Sequence, residues 1–168
     1  MARILLGALA ALIASLPAIA QAPSSYLYVF GGPVVVPKSS YTRWNGDFIH
    51  VGGGGEGRLT DRFALGGEAG VFTPITNQYA ATTGQVSGTP AIHFLSRHTK
   101  SKVDPFVDGG VSLLFGRGGA LAVHYGGGMN YWLTRRIGLR VEFRHHIWSE
   151  ESPVNMIGLR LGLVFGTR

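Results

Sequence analysis

Period-two alternation of apolar with charged or very small residues, in stretches of about ten, predicts an all-β fold of eight antiparallel strands running up and down in a closed barrel. Two features of composition point the same way. Glycine supplies 26 of the 168 residues, roughly twice the usual share of about 7%, with no collagen-like period or low-complexity tract to account for it. Each interior helical glycine costs about 1 kcal/mol relative to alanine, so a helical bundle is disfavoured. Hydrophobic residues make up 45% of the chain and charged residues only 14%, in a length that suits one domain.

Residues 1–22 read as a cleaved export signal. Arg3 supplies the basic start, Ile4 to Ile19 the apolar stretch, and Ala20-Gln21-Ala22 the small-x-small pattern that signal peptidase cuts after. The barrel domain is then expected over residues 23–168. No later stretch reaches the roughly 18 uninterrupted apolar residues of a membrane helix.

Strand one is expected over Ser25 to Val36, with weak alternation and no readable faces. Strand two, Asp47 to Gly57, sets Ile49 and Val51 against His50, Gly52, Gly54 and Glu56. Strand three, Phe63 to about Ile75, places Phe63, Leu65, Ala69 and Val71 opposite Gly66, Glu68, Gly70 and Phe72. Strand four, Gly88 to His98, again alternates poorly. In strand five Val107, Gly109, Val111, Leu113 and Phe115 oppose Asp108, Gly110, Ser112 and Leu114. Strand six, from Val123 to Leu133, turns His124, Gly126, Gly128, Asn130 and Trp132 one way and Tyr125, Met129 and Tyr131 the other. Strand seven runs from Ile137 to Trp148 and strand eight from Met156 to Phe165. Their apolar rows are Ile137, Leu139, Val141, Phe143 and Ile157, Leu159, Leu161, Leu163. Short links are expected after strands two, four and six, and longer ones after one, three and seven, while the link at Gly116 to Ala120 is shorter than this scheme prefers.

The polar face separates a membrane barrel from a soluble sandwich or calyx. In most strands it is glycine mixed with isolated charges, where a solvated surface would be dense in Lys, Glu, Thr and Ser. Eight strands enclose an interior just wide enough for side chains to fill, and glycine there leaves room for long Arg and Glu chains. The opposite face carries no charge where faces can be read, as lipid requires: Arg or Lys at mid-membrane costs about 2–4 kcal/mol. The chain therefore reads as a transmembrane β-barrel. Tyr26, Tyr28, Phe63, Phe115, Tyr131, Trp132 and Phe165 lie near strand ends and fit interfacial girdles.

A hairpin through Ser149–Pro153 that pairs Arg144 with Gly158 puts Glu142 opposite Arg160 and Arg140 opposite Gly162. With Arg140, Arg144, Glu68, Glu56 and Asp108 on the same inner surface, a salt-bridged plug that blocks ion flow is expected. Other candidate chemistry is weak. Gly52 to Gly57 contains G-x-G-x-x-G, but the phosphate cradle needs a helix after it, and this run leads to a turn and another strand. His145 and His146 are adjacent and point to opposite faces, and His50, His93, His98 and His124 lack metal-ligand spacing. No metal, cofactor or catalytic residue is expected. With no cysteine, disulfide and thiolate chemistry are excluded. The formal charge of +6 is not read as nucleic-acid binding, because export removes that partner. Lys38, Arg43, Arg117, Arg135 and Arg136 suit lipopolysaccharide and anionic headgroups.

The leader, the terminal strand from Met156 to Phe165, and the segment from Gly138 to Arg144 together resemble the small outer-membrane β-barrels, the OmpA-like transmembrane domains of Gram-negative bacteria. The resemblance implies an outer-membrane location, both mature termini in the periplasm, and a structural, adhesion or interaction role. It also implies the assembly machinery as a partner; in that family an aromatic usually ends the final strand as the assembly signal, whereas here Phe165 is followed by Gly166-Thr167-Arg168. Oligomeric state is not implied. An enzymatic alternative is a lipid A deacylase-like barrel, with His146, Ser149 and Glu142 as its residues. A soluble periplasmic lipid-binding calyx is a third reading.

Overall fold

Eight strands, β1 (Ser25–Val36), β2 (Gly46–Arg58), β3 (Phe63–Pro74), β4 (Thr83–His93), β5 (Val103–Phe115), β6 (Ala120–Trp132), β7 (Ile137–Ser149) and β8 (Pro153–Thr167), follow one another around the molecule. Each pairs antiparallel with its neighbours, and β1 pairs with β8 to close the barrel. The structure is a computed structural model that describes residues 23–37, 46–75, 81–96, 98–116, 119–149 and 153–167. The expected export signal, with Lys38, Arg43 and Arg117, lies outside them.

Strand polarity follows from alternation, because successive side chains leave a sheet on opposite sides. Leu159 and Leu161 are 47% and 56% exposed, whereas Arg160 between them is 2% exposed. The same contrast runs through β7, where Val141 and Phe143 face out and Arg140, Glu142 and Arg144 are buried. The exterior is an apolar wall and the interior is a filled core. The final hairpin has the expected register: Arg144 opposite Gly158, Glu142 opposite Arg160, Arg140 opposite Gly162.

One end of the barrel, here the terminus end, carries Ser25, Phe165 and the links 59–62, 94–102 and 133–136; the opposite loop end carries the links from β1 to β2, β3 to β4, β5 to β6 and β7 to β8. Two terminus-end turns share one chemistry. In Leu59-Thr60-Asp61-Arg62 and Leu133-Thr134-Arg135-Arg136, the threonine hydroxyl accepts the N–H of Phe63 or Ile137 at 3.0 Å in each case. That side-chain capture fixes a tight turn without glycine.

Several expectations need correction. β4 occupies Thr83–His93, about five residues before the expected Gly88–His98. Its inward row is Thr83, Gln85, Ser87, Thr89, Ala91 and His93, and its outward row includes glycine and Pro90, so neither face has the amplitude that marks a strand. The expected alternation of short and long links does not hold either. The β4–β5 link spans 94–102, and that at 150–152 is short.

Tyr26, Tyr28 and Trp132 are not girdle residues: all three are inward and buried. β1 is apolar on both faces, so its sequence carries no polarity contrast to orient it. The reason they fit inside lies on β2, where Tyr28 stands opposite Gly54. A Cβ at Gly54 would sit 2.8 Å from the Tyr28 hydroxyl and 2.5 Å from the Gly67 carbonyl oxygen. The glycine run that mimics a nucleotide fingerprint is an interior strand segment cleared for rings. Gly128 is needed for a different reason, the close approach of the β7 backbone: a Cβ there would run into the Val141 carbonyl oxygen.

Candidate functional site

The lumen is layered along its axis. At the loop end Val34, Val36, Phe48, Phe72, Leu114, Trp148, Val154 and Met156 form an apolar plug. Toward the terminus end Tyr26, Tyr28, Phe30, Trp132 and Val164 form a second apolar cluster along one side. Charged residues fill the middle.

Arg140, Glu142 and Arg144 lie at i, i+2 and i+4 of β7, so all three project into the barrel, and β8 adds Arg160 directly opposite Glu142. Glu68 reaches across from β3. It accepts Arg144 Nη1 at 2.6 Å and Arg160 Nη1 at 2.9 Å on Oε1, and Arg160 Nη2 at 3.2 Å on Oε2. Tyr28 Oη and Gln85 Nε2 each donate to it at 3.2 Å. Glu142 accepts Arg140 Nε at 2.8 Å and also Arg160 Nη2. Arg144 Nε lies 2.7 Å from Glu142 Oε1 without hydrogen-bond alignment. Asp108 on β5 takes Arg144 Nη2 at 2.7 Å. Three guanidinium groups thus meet three carboxylates, Glu68, Asp108 and Glu142. The arginine faces are used as well: Arg140 stacks 4.0 Å from the Phe106 ring centroid and Arg160 4.0 Å from that of Phe30.

Of the six residues expected in the network, Glu142, Arg160, Arg140, Arg144 and Glu68 converge here. Glu56 does not. It sits at the terminus end in a second cluster, paired with His93 Nε2, while His93 Nδ1 lies 2.9 Å from Asp104 Oδ1. Arg58 Nη2 donates to Asp104 Oδ2 at 2.6 Å, and its Nη1 donates to the Asp61 and Leu95 carbonyls at 3.1 and 3.2 Å. An imidazole with a carboxylate oxygen on each nitrogen satisfies both by donating twice, as only the doubly protonated ring can. In that form Arg58 and His93 balance Glu56 and Asp104.

The sequence reading missed Arg58, His93 and Asp104 as partners, together with a neutral relay on the β4–β6 side. There Ser87 and Ser112 hydroxyls lie 2.8 Å apart, and His124 bridges Ser112 at 2.8 Å and Thr89 at 3.1 Å. The one available signal was alternation through β4, whose inward row is polar but uncharged. His145 and His146 do diverge. His145 lies on the outer wall, 2.7 Å from the Tyr125 hydroxyl and 3.1 Å from Asn155 Oδ1. His146 faces the lumen, its ring 5.7 Å from Phe72.

Two residues of the deacylase alternative can be placed. His146 is interior, Glu142 is held by arginines, and the Ser149 side chain lies outside the described residues. Among the described residues no group of three or more His, Cys, Asp or Glu is placed to hold a metal ion.

Eight strands enclose an interior that side chains can fill, and an unpaired ion buried in it would bear a desolvation penalty of several kcal/mol. Each of the six charges has a counter-charge within 3 Å, which is what lets them remain buried there.

No protein-family model and no curated protein matches this sequence. Solved structures do resemble it. Neisserial surface protein A is 13% identical, with a TM-score of 0.71 over 86% of this chain and 97% of that one. The N-terminal β-barrel domain of Pseudomonas aeruginosa OprF is 19% identical, with a TM-score of 0.61 over 86% of this chain and all of that one. Ail, the attachment invasion locus protein of Yersinia pestis, is 12% identical, with a TM-score of 0.56 over 86% and 98%. With its closed eight-strand topology, apolar exterior and filled lumen, the chain has the fold of the small outer-membrane β-barrels, the OmpA-like architecture.

Proposed function

We propose that this chain is an integral outer-membrane β-barrel, exported by a cleaved signal, with a structural, adhesion or interaction role, no catalytic activity and a lumen closed to ions. The observation that carries the reading is the inversion of an ordinary soluble core: leucines and valines cover the outside of every strand pair while six charges are paired within. A soluble calyx would turn the apolar face inward. A bilayer supplies the solvent this exterior needs, and a closed sheet leaves no unpaired edge in it. The adhesion alternative is supported by the shared fold of Ail, which is by name an attachment invasion protein. The partners in this reading are outer-membrane lipids, lipopolysaccharide and the outer-membrane assembly machinery.

Two measurements test it. Fractionation followed by gel electrophoresis with and without boiling is expected to show an outer-membrane protein whose migration changes on heating. A soluble periplasmic product with unchanged migration overturns the membrane reading. In planar bilayers the purified protein is expected to carry no large persistent current, and such a current overturns the closed lumen.

A further inference from the structure

The outer wall is uneven at the seam between β4 and β5. Pairing is continuous from Gly84 to Gly88 and resumes at Ala91, leaving Thr89 and Pro90 outside the paired register. Pro90 has no N–H to give the ladder. Opposite it, Gly109 has no side chain. The result is a groove of about 330 Å³ lined by Phe63, Pro90, Ile92, Val107 and Gly109. The paired residues Ala91 and Asp108 complete its lining.

At the terminus end of this groove the two flanking links are basic. Arg62 immediately precedes Phe63, and its carbonyl accepts the His93 N–H at 2.8 Å, which holds it against the end of β4. Lys100 and Lys102 lie in the 94–102 link between β4 and β5. His98 and Asp61, 3.4 Å apart, tie the two links together. Arg62 and Lys100 are exposed, and Asp61 is the single carboxylate in the two links. An apolar furrow rising into the hydrocarbon from a cationic rim is complementary to one amphiphile: a phosphate head with an acyl chain above it.

Resting on the membrane reading above, we propose that the β4–β5 groove is a binding site for one anionic glycerophospholipid of the leaflet at the terminus end. One acyl chain lies along Phe63, Ile92 and Val107 over Gly109, and the phosphate meets Arg62 and Lys100. Basic side chains near a bilayer surface attract anionic lipid individually, and the furrow converts that general attraction into a single defined position.

The test is native mass spectrometry of the delipidated full-length protein with phosphatidylglycerol or phosphatidylethanolamine at equal concentration. One phosphatidylglycerol should be retained about tenfold above phosphatidylethanolamine, a difference two cationic contacts supply. Arg62→Ser with Lys100→Ser should remove the preference, and Gly109→Leu, which fills the furrow, should lower retention of both lipids. Equal retention of the two lipids by the unmodified protein, or retention unchanged in the double variant, overturns the site. Arg62 and Lys100 lie outside the sheet, so the double variant decides the matter even if Gly109→Leu fails to fold. Heat-modifiable migration and insertion into phosphatidylcholine vesicles are followed on the same samples. A barrel that inserts but shows no preference refutes the lipid site alone, whereas failure to insert refutes the membrane reading.

Discussion

The middle of the lumen and its loop end are lined by the same strands through the same alternation, yet one is ionic and the other is apolar. In the middle, Glu68, Glu142 and Asp108 hold Arg140, Arg144 and Arg160. A few residues further along, the inward positions are Phe72 on β3, Leu114 on β5, Trp148 on β7 and Met156 on β8. Both regions are buried, and the difference shows the two ways such an interior can be filled. Charges remain where four strands supply counter-charges at hydrogen-bond distance. Elsewhere hydrocarbon fills the space, and its packing requires no partner geometry.

The comparison is broken most directly at Glu142. In Glu142→Ala, Arg140, Arg144 and Arg160 are left with Glu68 and Asp108 alone, so one positive charge is uncompensated in the bore. Breaking a buried pair in this way costs about 4 kcal/mol. Urea unfolding of the barrel in vesicles, read as loss of heat-modifiable migration, measures it. Replacing Glu142 and Arg160 together by methionine should cost less than the single change, because the pair is then removed whole. A double variant worse than the sum of its singles would mean that the network is not organised around this pair.

The loop-end plug gives the contrasting case. Leu114→Ala leaves a cavity among Phe48, Phe72, Trp148 and Met156 and should cost about 3 kcal/mol, as buried large-to-small changes do. No charge is stranded, so no second-site change should rescue it. If the ionic layer closes the bore as proposed, its bilayer current should stay as low as that of the unmodified protein. A persistent current in Leu114→Ala would transfer the closure from the ions to the plug.

Legibility follows the same division. β7 and β8 could be read for face and register, with β8 extending three residues before and two beyond its expected bounds, because charged or very small residues alternate with leucine, valine and phenylalanine at full amplitude. β1 could not be oriented: Tyr26, Tyr28 and Phe30 face in and Leu27 and Val29 face out, so both rows are apolar, and rings that would serve a girdle serve the interior instead. β4 slipped in position because glycine, proline, serine and threonine blur both of its rows. The terminus-end cluster was hidden for a different reason. Glu56, Arg58, His93 and Asp104 come from three strands whose mutual stagger is a property of closure, and no pattern within a single strand reports it.

That cluster offers an intermediate test. His93→Gln keeps a hydrogen-bonding side chain but cannot donate from two ring positions to Glu56 and Asp104. Asp104 retains Arg58 at 2.6 Å, so the loss falls chiefly on Glu56. Glu56, its balancing cation gone, can neutralise by taking up a proton as the stranded arginines of Glu142→Ala cannot, so about 2 kcal/mol is expected, the value of a hydrogen bond to a charged group, in the same unfolding assay. A loss as large as that of Glu142→Ala would make the two clusters a single cooperative network.

The smallest effect is expected inside the central network, at Tyr28. Its hydroxyl donates to Glu68 Oε2 at 3.2 Å, the long end of the range, while Arg144 and Arg160 approach the same carboxylate at 2.6 and 2.9 Å. Tyr28→Phe removes that donor but leaves the ring against Phe30 and the Arg140 guanidinium 4.6 Å from its centroid. Because Glu68 stays doubly paired, no charge is exposed, and the cost should be about 1 kcal/mol, that of one ordinary hydrogen bond. Membership in the same cluster therefore does not confer the same weight: Glu142 matters because its removal leaves a charge, and Tyr28 matters little because its removal leaves none. A Tyr28→Phe loss of the size expected for Glu142→Ala, in the same vesicles, would refute charge balance as what holds the middle of the barrel.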